Sequence, residues 1–320
     1  MIKDNSKLGW FITGFTEAEA CFNINIYKTK VGKKTAKLRF SIAVMENDLE
    51  LIKLIQNFFN CGVISKPRSN GMIHFTVSKI DDINNIINPH FLNYPLRGTK
   101  FLDFQDWLKA SEILTSKSHL TENGIIKLQA LFDGMNRKRK NLENYLPDHC
   151  NKDFFSYQPI NGDYISGFVA GDGSIGISPS SLTFESKKFC NFYFSIGQHI
   201  NNIYLIDEMV EFFQIQGEPE IPHKINKYIH TPNTILEVKG IKSKRPYISG
   251  GATSFSLNSR KKMNEIVIPF FKKYPLYGLK LIKLNKIIKI LNILNSCNTS
   301  NYLITDNIKK EIINIWFSES

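Results

Sequence analysis

The sequence predicts an α+β fold built by tandem duplication, in which an αββαββα unit with antiparallel hairpins occurs twice in one chain of 320 residues. Three observations predict it: internal similarity in a fixed order, strands that alternate apolar and polar residues, and amphipathic helices between the hairpins. The segment ITGFTEAEA (Ile12 to Ala20) returns as ISGFVAGDG (Ile165 to Gly173), with I-x-G-F at the start and a carboxylate at the eighth position of both. LELIKLIQNFF (Leu49 to Phe59) returns as IYLIDEMVEFF (Ile203 to Phe213) with its paired phenylalanines aligned. GMIHFTVS and GATSFSLN follow, then PHFLNYPLRGTK (Pro89 to Lys100) and PFFKKYPLYGLK (Pro269 to Lys280). Four similarities in one order make a duplication, which sets the architecture before any element is assigned.

Within the first copy a helix over about residues 7–20 precedes the strand CFNINIYKTK. There Phe22, Ile24 and Ile26 face one way and Asn23, Asn25 and Tyr27 the other. In the next strand Leu38, Phe40, Ile42 and Val44 alternate with Lys37, Arg39, Ser41 and Ala43. An amphipathic helix from Asp48 to Phe59 follows, then two short strands at about 61–68 and 71–78, then helices. Helices cover one face of each sheet, and the other face is polar and basic. In the second copy ISGFVAGD reads as helix and SIGISPS as strand. The domains expected are residues 1–136 and 161–320, joined by a charged, aperiodic linker at 137–160. The second copy carries an insertion near residues 223–250, with six Lys or Arg against one Glu, read as a longer basic hairpin or as a disordered insertion. RKRK (Arg137 to Lys140) either touches phosphates or is a solvated charge run.

The chain carries a net charge of +12, from 41 Lys and Arg against 29 Asp and Glu. An excess of that size on a folded chain, 42% apolar and 12% aromatic, implies a polyanionic partner, nucleic acid before a membrane surface. The five cysteines are scattered and contain no C-x-x-C pair, so neither a disulfide framework nor a zinc site is expected, and buried free thiols are. No run of residues is long and apolar enough for a membrane span. The first residues contain neither a signal-peptide core nor an Arg- and Ser-rich presequence. Richness in Asn, Ile and Lys is what an AT-rich coding sequence produces, and it points to an organelle genome.

Gly171, Gly173 and Gly176 form G-x-G-x-x-G. A dinucleotide loop needs a strand before those glycines and a helix after them; here the order is reversed, and the first copy has no such motif, so a phosphate cradle is excluded. Gly14 and Ala18 in the first copy, and Gly167 and Gly171 in the second, lie four residues apart. Each pair forms a flat stripe on its helix, which lets two backbones approach closely. Pairing of the two helices in a pseudo-dimer within one monomeric chain is therefore expected. Glu19 and Asp172 then stand at the C-terminal ends of the two helices, where the macrodipole disfavours a carboxylate. Two such acids near a pseudo-axis call for a cation between them, and oxygen-only ligands suit Mg²⁺. Between two basic sheets, that arrangement suits metal-assisted phosphodiester hydrolysis.

The two signature segments, the duplicated order, YPLRGTKFLDFQDW (Tyr94 to Trp107) with its partner YPLYGLK, and HLTENGIIKLQ (His119 to Gln129) resemble single-chain LAGLIDADG homing endonucleases, most closely the fungal mitochondrial, intron-encoded branch. The resemblance implies a saddle of two sheets on the major groove of double-stranded DNA, a long asymmetric site, and cleavage of both strands that leaves 3′ overhangs. It implies metal ligation by Glu19 and Asp172, aided by backbone carbonyls. Mg²⁺ or Mn²⁺ would support cleavage, and Ca²⁺ binding without cleavage. Gln198 fits a water-positioning role, although its repeat mate is Val44. Lys100 and Lys280 fit charge stabilisation, against a reading as solvent-exposed lysines at helix starts. Glu17 stands where the second copy has Ala170 and is not counted as catalytic. Ala20 replaces the final glycine of the first signature, which matters only if that position needs a positive φ. The polar phase of the strands supplies the DNA-contact candidates: Asn23, Asn25, Tyr27, Lys37, Arg39, Ser41, Lys66 and Arg68 in the first copy, and Ser178, Ser180, Asn191, Tyr193 and Ser195 in the second. An intron-RNA-binding maturase on the same fold and a cleavage-inactive DNA-binding protein are the alternatives. A mitochondrial location is expected.

Overall fold

A computed structural model of the protein describes residues 5–139, 160–186, 188–217, 252–297 and 304–318. Most of the expected linker and the whole insertion near 223–250 lie outside the described residues. The fold is α+β with two antiparallel sheets, and the chain divides into two compact units, Met1–Gly171 and Asp172–Ser320.

Unit one opens with helix α1 (Asn5–Glu19), which passes without a loop into strand β1 (Ala20–Lys28). Strand β2 (Lys34–Met45) pairs antiparallel with β1, joined by a turn in which Gly32 takes φ +80°. Helix α2 (Leu49–Phe59) follows, then β3 (Val63–Ile64) and β4 (Met72–Val77), in the sheet order β1-β2-β4-β3. Alternation decides which face is buried. Phe22, Ile24, Leu38, Phe40, Ile42, Ile73, Phe75 and Val77 are all buried, and their neighbours point to the polar face. Phe22 is the hub of this core, with ring centroids 5.2–5.3 Å from Phe40, Phe91, Phe104 and Trp107. Truncating an aromatic side chain so placed typically costs about 3–5 kcal/mol.

The expected strand over about 61–68 is shorter in the structure, because Gly62 (φ +75°) and Pro67 bracket it and proline has no ladder donor. Two hydrogen bonds outlast the regular strand: Ser65 N–H to His74 O at 2.8 Å, and Arg68 N–H to Met72 O at 2.9 Å. Lys66 and Arg68 are therefore exposed beyond β3 rather than within it.

The next helix is continuous but irregular. A first turn, α3 (Ile80–Asp82), runs through a π-helical segment (Ile83–Ile87) into α4 (Asn88–Asn93). Pro89 stands two residues past the π segment; it donates no hydrogen bond and its ring crowds the turn before it, so the wider turn absorbs a break that would otherwise kink the helix. Helices α5 (Lys100–Thr115) and α6 (Glu122–Gly134) follow, and α6 is capped by the Thr121 hydroxyl on Gly124 N–H. Helix α7 (Gly162–Asp172) falls within unit one except for its last residue.

Unit two repeats the plan. Strand β5 (Gly173–Ile177) leaves α7 as β1 leaves α1, and β6 (Phe192–His199) pairs with it. Helix α8 (Ile203–Gly217) precedes β7 (Ala252–Leu257), and among the described residues the sheet order is β5-β6-β7. The proline and π-turn device recurs: α9 (Arg260–Lys262), a π segment (Met263–Val267) and α10 (Ile268–Lys273), with Pro269 two residues past the π segment. Helices α11 (Leu279–Ser296) and α12 (Asp306–Phe317) complete the unit. Phe194, Phe213, Phe255, Phe270 and Phe271 form its aromatic core. Of the described cysteines, all free, only Cys190 is fully buried; Cys21, Cys61 and Cys297 are half-buried. Among the described residues no helix is long and apolar enough to cross a membrane.

Candidate active site

Helices α1 and α7 touch backbone to backbone. A Cβ built on Gly14 would lie 1.8 Å from the carbonyl oxygen of Tyr164, and one on Gly167 would lie 1.8 Å from that of Phe11. The relation is reciprocal: each glycine abuts the residue three before the other. One turn on, a Cβ on Gly171 would lie 2.3 Å from Ala18 Cβ and 3.0 Å from Glu19 Cγ. No side chain larger than hydrogen fits at Gly14 or Gly167. Around the contact Phe11, Ile12, Phe15, Tyr164, Ile165 and Phe168 are all buried.

Glu17 and Glu19 differ in setting although two residues separate them. Glu17 is 3% exposed, and its Oε2 accepts the Tyr164 hydroxyl at 2.9 Å and the Arg97 backbone N–H at 3.0 Å. It ties α1 to α7 and to the segment before α5, a structural role that leaves it no access to a ligand. Glu19 is the last residue of α1 and half-buried. Lys100, the first residue of α5, donates to the carbonyls of Thr16 at 2.9 Å and Ala20 at 2.6 Å. The first belongs to the unsatisfied last turn of α1 and the second to the residue that follows it, so the ammonium offsets the negative pole on which Glu19 sits. Lys100 is thus anchored and half-buried rather than solvated at a helix start. Ala20 has no positive φ and simply opens β1, so the missing glycine costs the backbone nothing.

In unit two Asp172 is the last residue of α7 and is exposed, and Gln198 of β6 donates to its Oδ2 at 2.6 Å. Gly173 follows as the first, buried residue of β5, also without a positive φ. Lys280 stands in the first turn of α11, half-buried. Glu19 in the first unit and Asp172 in the second each present carboxylate oxygens, a donor type that suits a hard divalent cation. Cys21, beside this site, is held as a thiol: burial pushes its pKa up, against the pull of Lys100. Among the described residues no cluster of three or more His, Cys, Asp or Glu could hold a metal by itself.

The two polar sheet faces differ in chemistry. On sheet one Asn23 lies opposite Arg39 and Asn25 opposite Lys37, Ser41 lies between Cys21 and Thr76, and Lys37 Nζ is 5.7 Å from the Tyr27 ring. On sheet two Ser195 lies between Ser174 and Ser256, and Tyr193 lies opposite Gly176. The Tyr193 hydroxyl would be 2.6 Å from a Cβ on Gly176, so the third glycine of the G-x-G-x-x-G run makes room for a ring. Ser178 and Ser180 lie past the strand, because Pro179 starts a 3-10 turn, and their hydroxyls meet at 3.0 Å. Asn191 precedes β6, its N–H on Ser181 Oγ at 2.8 Å. Sequence reading passed over His74, Thr76, Ser174, Ser254 and Ser256, although alternation in GMIHFTVS and GATSFSLN marks most of them. Of RKRK, Arg139 is held by Asp103 at 3.0 Å and Asp106 at 2.8 Å, and Lys138 Nζ sits 3.1 Å from the Phe132 ring centroid. Both cations are engaged within the protein.

The model of the LAGLIDADG endonuclease family matches residues 12–111 and 219–291. The chain belongs to the LAGLIDADG endonuclease family. The match leaves α7 outside both segments, so the second signature helix rests on the repeat and on its contact with α1. Among relatives, a probable intron-encoded endonuclease 3 of Neurospora crassa is 28% identical over 85% of this chain and 48% of its own length. A probable intron-encoded endonuclease 2 of the same fungus is 31% identical over 63% of the chain and 47% of its own length. The chain thus spans about half the length of these relatives. Among solved structures, the I-LtrWI LAGLIDADG homing endonuclease bound to target DNA shares 27% identity, with a TM-score of 0.72 over 98% of this chain and 97% of that one. I-GzeII in complex with its DNA target shares 27%, with a TM-score of 0.69 over 96% of both chains.

Proposed function

We propose that this protein is a site-specific endonuclease that cuts both strands of a long, asymmetric DNA site, in the manner of intron homing in a fungal mitochondrion, and leaves 3′ overhangs. The observation that carries this reading is the contact of two glycine-striped helices, each ending in a carboxylate at the same position of its repeat. The family relation, the DNA-bound relatives of similar fold and the +12 charge support the same reading.

Glu19 and Asp172 are the proposed metal ligands, with neighbouring backbone carbonyls as further oxygen donors. A bound Mg²⁺ would supply charge neutralisation and acidify water near the scissile phosphate. The chain's own residues prepare the site. Gln198 fixes the orientation of the Asp172 carboxylate through one hydrogen bond. Lys100, held by two carbonyls, keeps a positive charge beside Glu19 and limits the rotation of its own ammonium. The polar sheet faces hold the duplex, Arg39 and Arg68 being suited to guanine edges and the asparagines to adenine.

Selection of cleaved sequences from a randomised duplex library in Mg²⁺ tests the activity and defines the site together. Glu19→Gln and Asp172→Asn should each reduce cleavage of the selected duplex by at least about a hundredfold while its binding stays within a few fold. Normal cutting by either variant would remove that residue from the site. Binding without any cutting in Mg²⁺ or Mn²⁺ would make the protein a cleavage-inactive DNA binder.

A further inference from the structure

His74 occupies the polar face of sheet one and has no part in the candidate active site. It stands on β4 between buried Ile73 and Phe75, so the alternation of the strand turns it to that face. Across the ladder on β2 is Ala43, a neighbour too short to cover an imidazole. On the other side the backbone is tied to Ser65: His74 N–H donates to Ser65 Oγ at 3.0 Å, and His74 O accepts Ser65 N–H at 2.8 Å. The charged groups acting on the ring are Arg68, from the segment between β3 and β4, and Arg39, from β2. Lys66 is exposed between Ser65 and Arg68, and Glu46 sits at Gly71, at the far end of the same hairpin. In the repeat the position of His74 is taken by Ser254, which does not titrate.

We propose that His74 is a DNA-contacting residue of sheet one and that it couples DNA binding to the uptake of a proton, an inference that rests on the DNA-binding reading of this face. In the free protein, burial and the two guanidinium groups hold the imidazole below its usual pKa of 6.5, so it is neutral near pH 7. DNA on the same face reverses that balance, since phosphate oxygens and base acceptors favour the imidazolium and draw the field of the arginines to themselves. The bound state then holds a proton that the free state lacks. Affinity is highest below the free pKa and falls as pH rises through the bound one.

The experiment is a binding titration of the full chain with the selected duplex, without divalent ion, from about pH 5.5 to about pH 8. Calorimetry in buffers of different ionisation enthalpy counts the protons. For the native chain, affinity should fall about three- to tenfold over this range, with a fraction of one proton taken up near neutrality. His74→Gln should remove most of the slope and the proton uptake. His74→Arg, charged throughout, should bind at the higher pH more tightly than the native chain and without the slope. A native slope that survives in His74→Gln, or no proton uptake by the native chain, overturns the proposal. Failure to bind the duplex at any pH removes the DNA-binding reading itself, and this inference with it.

Discussion

At the scale of single residues, position within a helix separates acids that look alike in the sequence. Glu17 is spent on holding α1 to α7, so its loss should show in stability. Glu17→Ala leaves the Tyr164 hydroxyl and the Arg97 N–H without their acceptor and should cost about 3 kcal/mol in urea unfolding. Glu17→Gln keeps an oxygen there and should cost much less. The repeat already set Glu17 apart, because Ala170 stands in its place; its partners, 80 and 147 residues away, leave no local mark. His90 is a second case. Burial pushes its pKa down to about 3, with Thr13 Oγ1 3.1 Å from its Nε2. The unfolded chain therefore takes up a proton that the folded chain refuses. Stability should fall as pH drops from about 6.5 toward about 3, with this group contributing a slope of up to about 1.4 kcal/mol per pH unit. His90→Phe, which copies Phe270 of the repeat, should soften the acid limb of a thermal-melting profile. Asp207 works in the opposite direction. Burial and Glu211 raise its pKa to about 7, so it penalises the fold as pH rises from about 4 to about 7. Asp207→Asn should raise the melting temperature at pH 8 and leave it nearly unchanged at pH 4.

At the scale of elements, glycines report how closely parts approach. Gly14→Ala and Gly167→Ala would each drive a methyl into a carbonyl oxygen of the facing helix, where the backbone has nowhere to move. Each should destabilise by about 3 kcal/mol or more, at the upper end of overpacking effects. Gly197→Ala is the control, since its added carbon would meet only ordinary contacts at 3.5 Å and 3.6 Å; it should fall within about 0.5 kcal/mol of the native protein. The small-residue stripe was legible because a spacing of four residues translates directly into one helix face. The length of β3 was not, since Gly62 and Pro67 end the ladder through backbone geometry that apolar patterning does not encode. The π turns before Pro89 and Pro269 were equally hidden: proline marks a disturbance in a helix without saying how it is absorbed.

At the scale of the molecule, duplication and charge were the legible features, because both are sums over many residues and survive local error. The difference between the sheets was legible only in part: the contact candidates hold four cations in the first copy and none in the second, yet both faces were expected to be basic. Sheet one offers Lys37, Arg39 and His74, with Arg68 beside it between β3 and β4, whereas the described polar face of sheet two offers Ser174, Tyr193, Ser195, Ser254 and Ser256. Copies of one ancestral unit have kept their buried phase and diverged in the other. Affinity for the selected duplex should fall linearly with salt on logarithmic axes, by about 0.9 per phosphate neutralised. Arg39→Ala and Arg68→Ala should each relax base preference in one half-site, by about 1–3 kcal/mol where a bidentate guanine contact is lost. A reselected library on each variant reads that change directly.

The helix contact also sets where the chain can be recombined. Because α7 packs on α1, the first compact unit runs on to Gly171, well past the charged segment that looks in the sequence like a natural seam. A hybrid joined within residues 137–160 would set α1 of one parent against α7 of another and stake its folding on two unrelated stripes matching. A hybrid joined after Gly171 would inherit Gly14, Ala18, Gly167 and Gly171 from one parent and exchange only the second unit. For keeping this helix contact within one parent, the peptide bond before Asp172 is a better crossover point than any within residues 137–160.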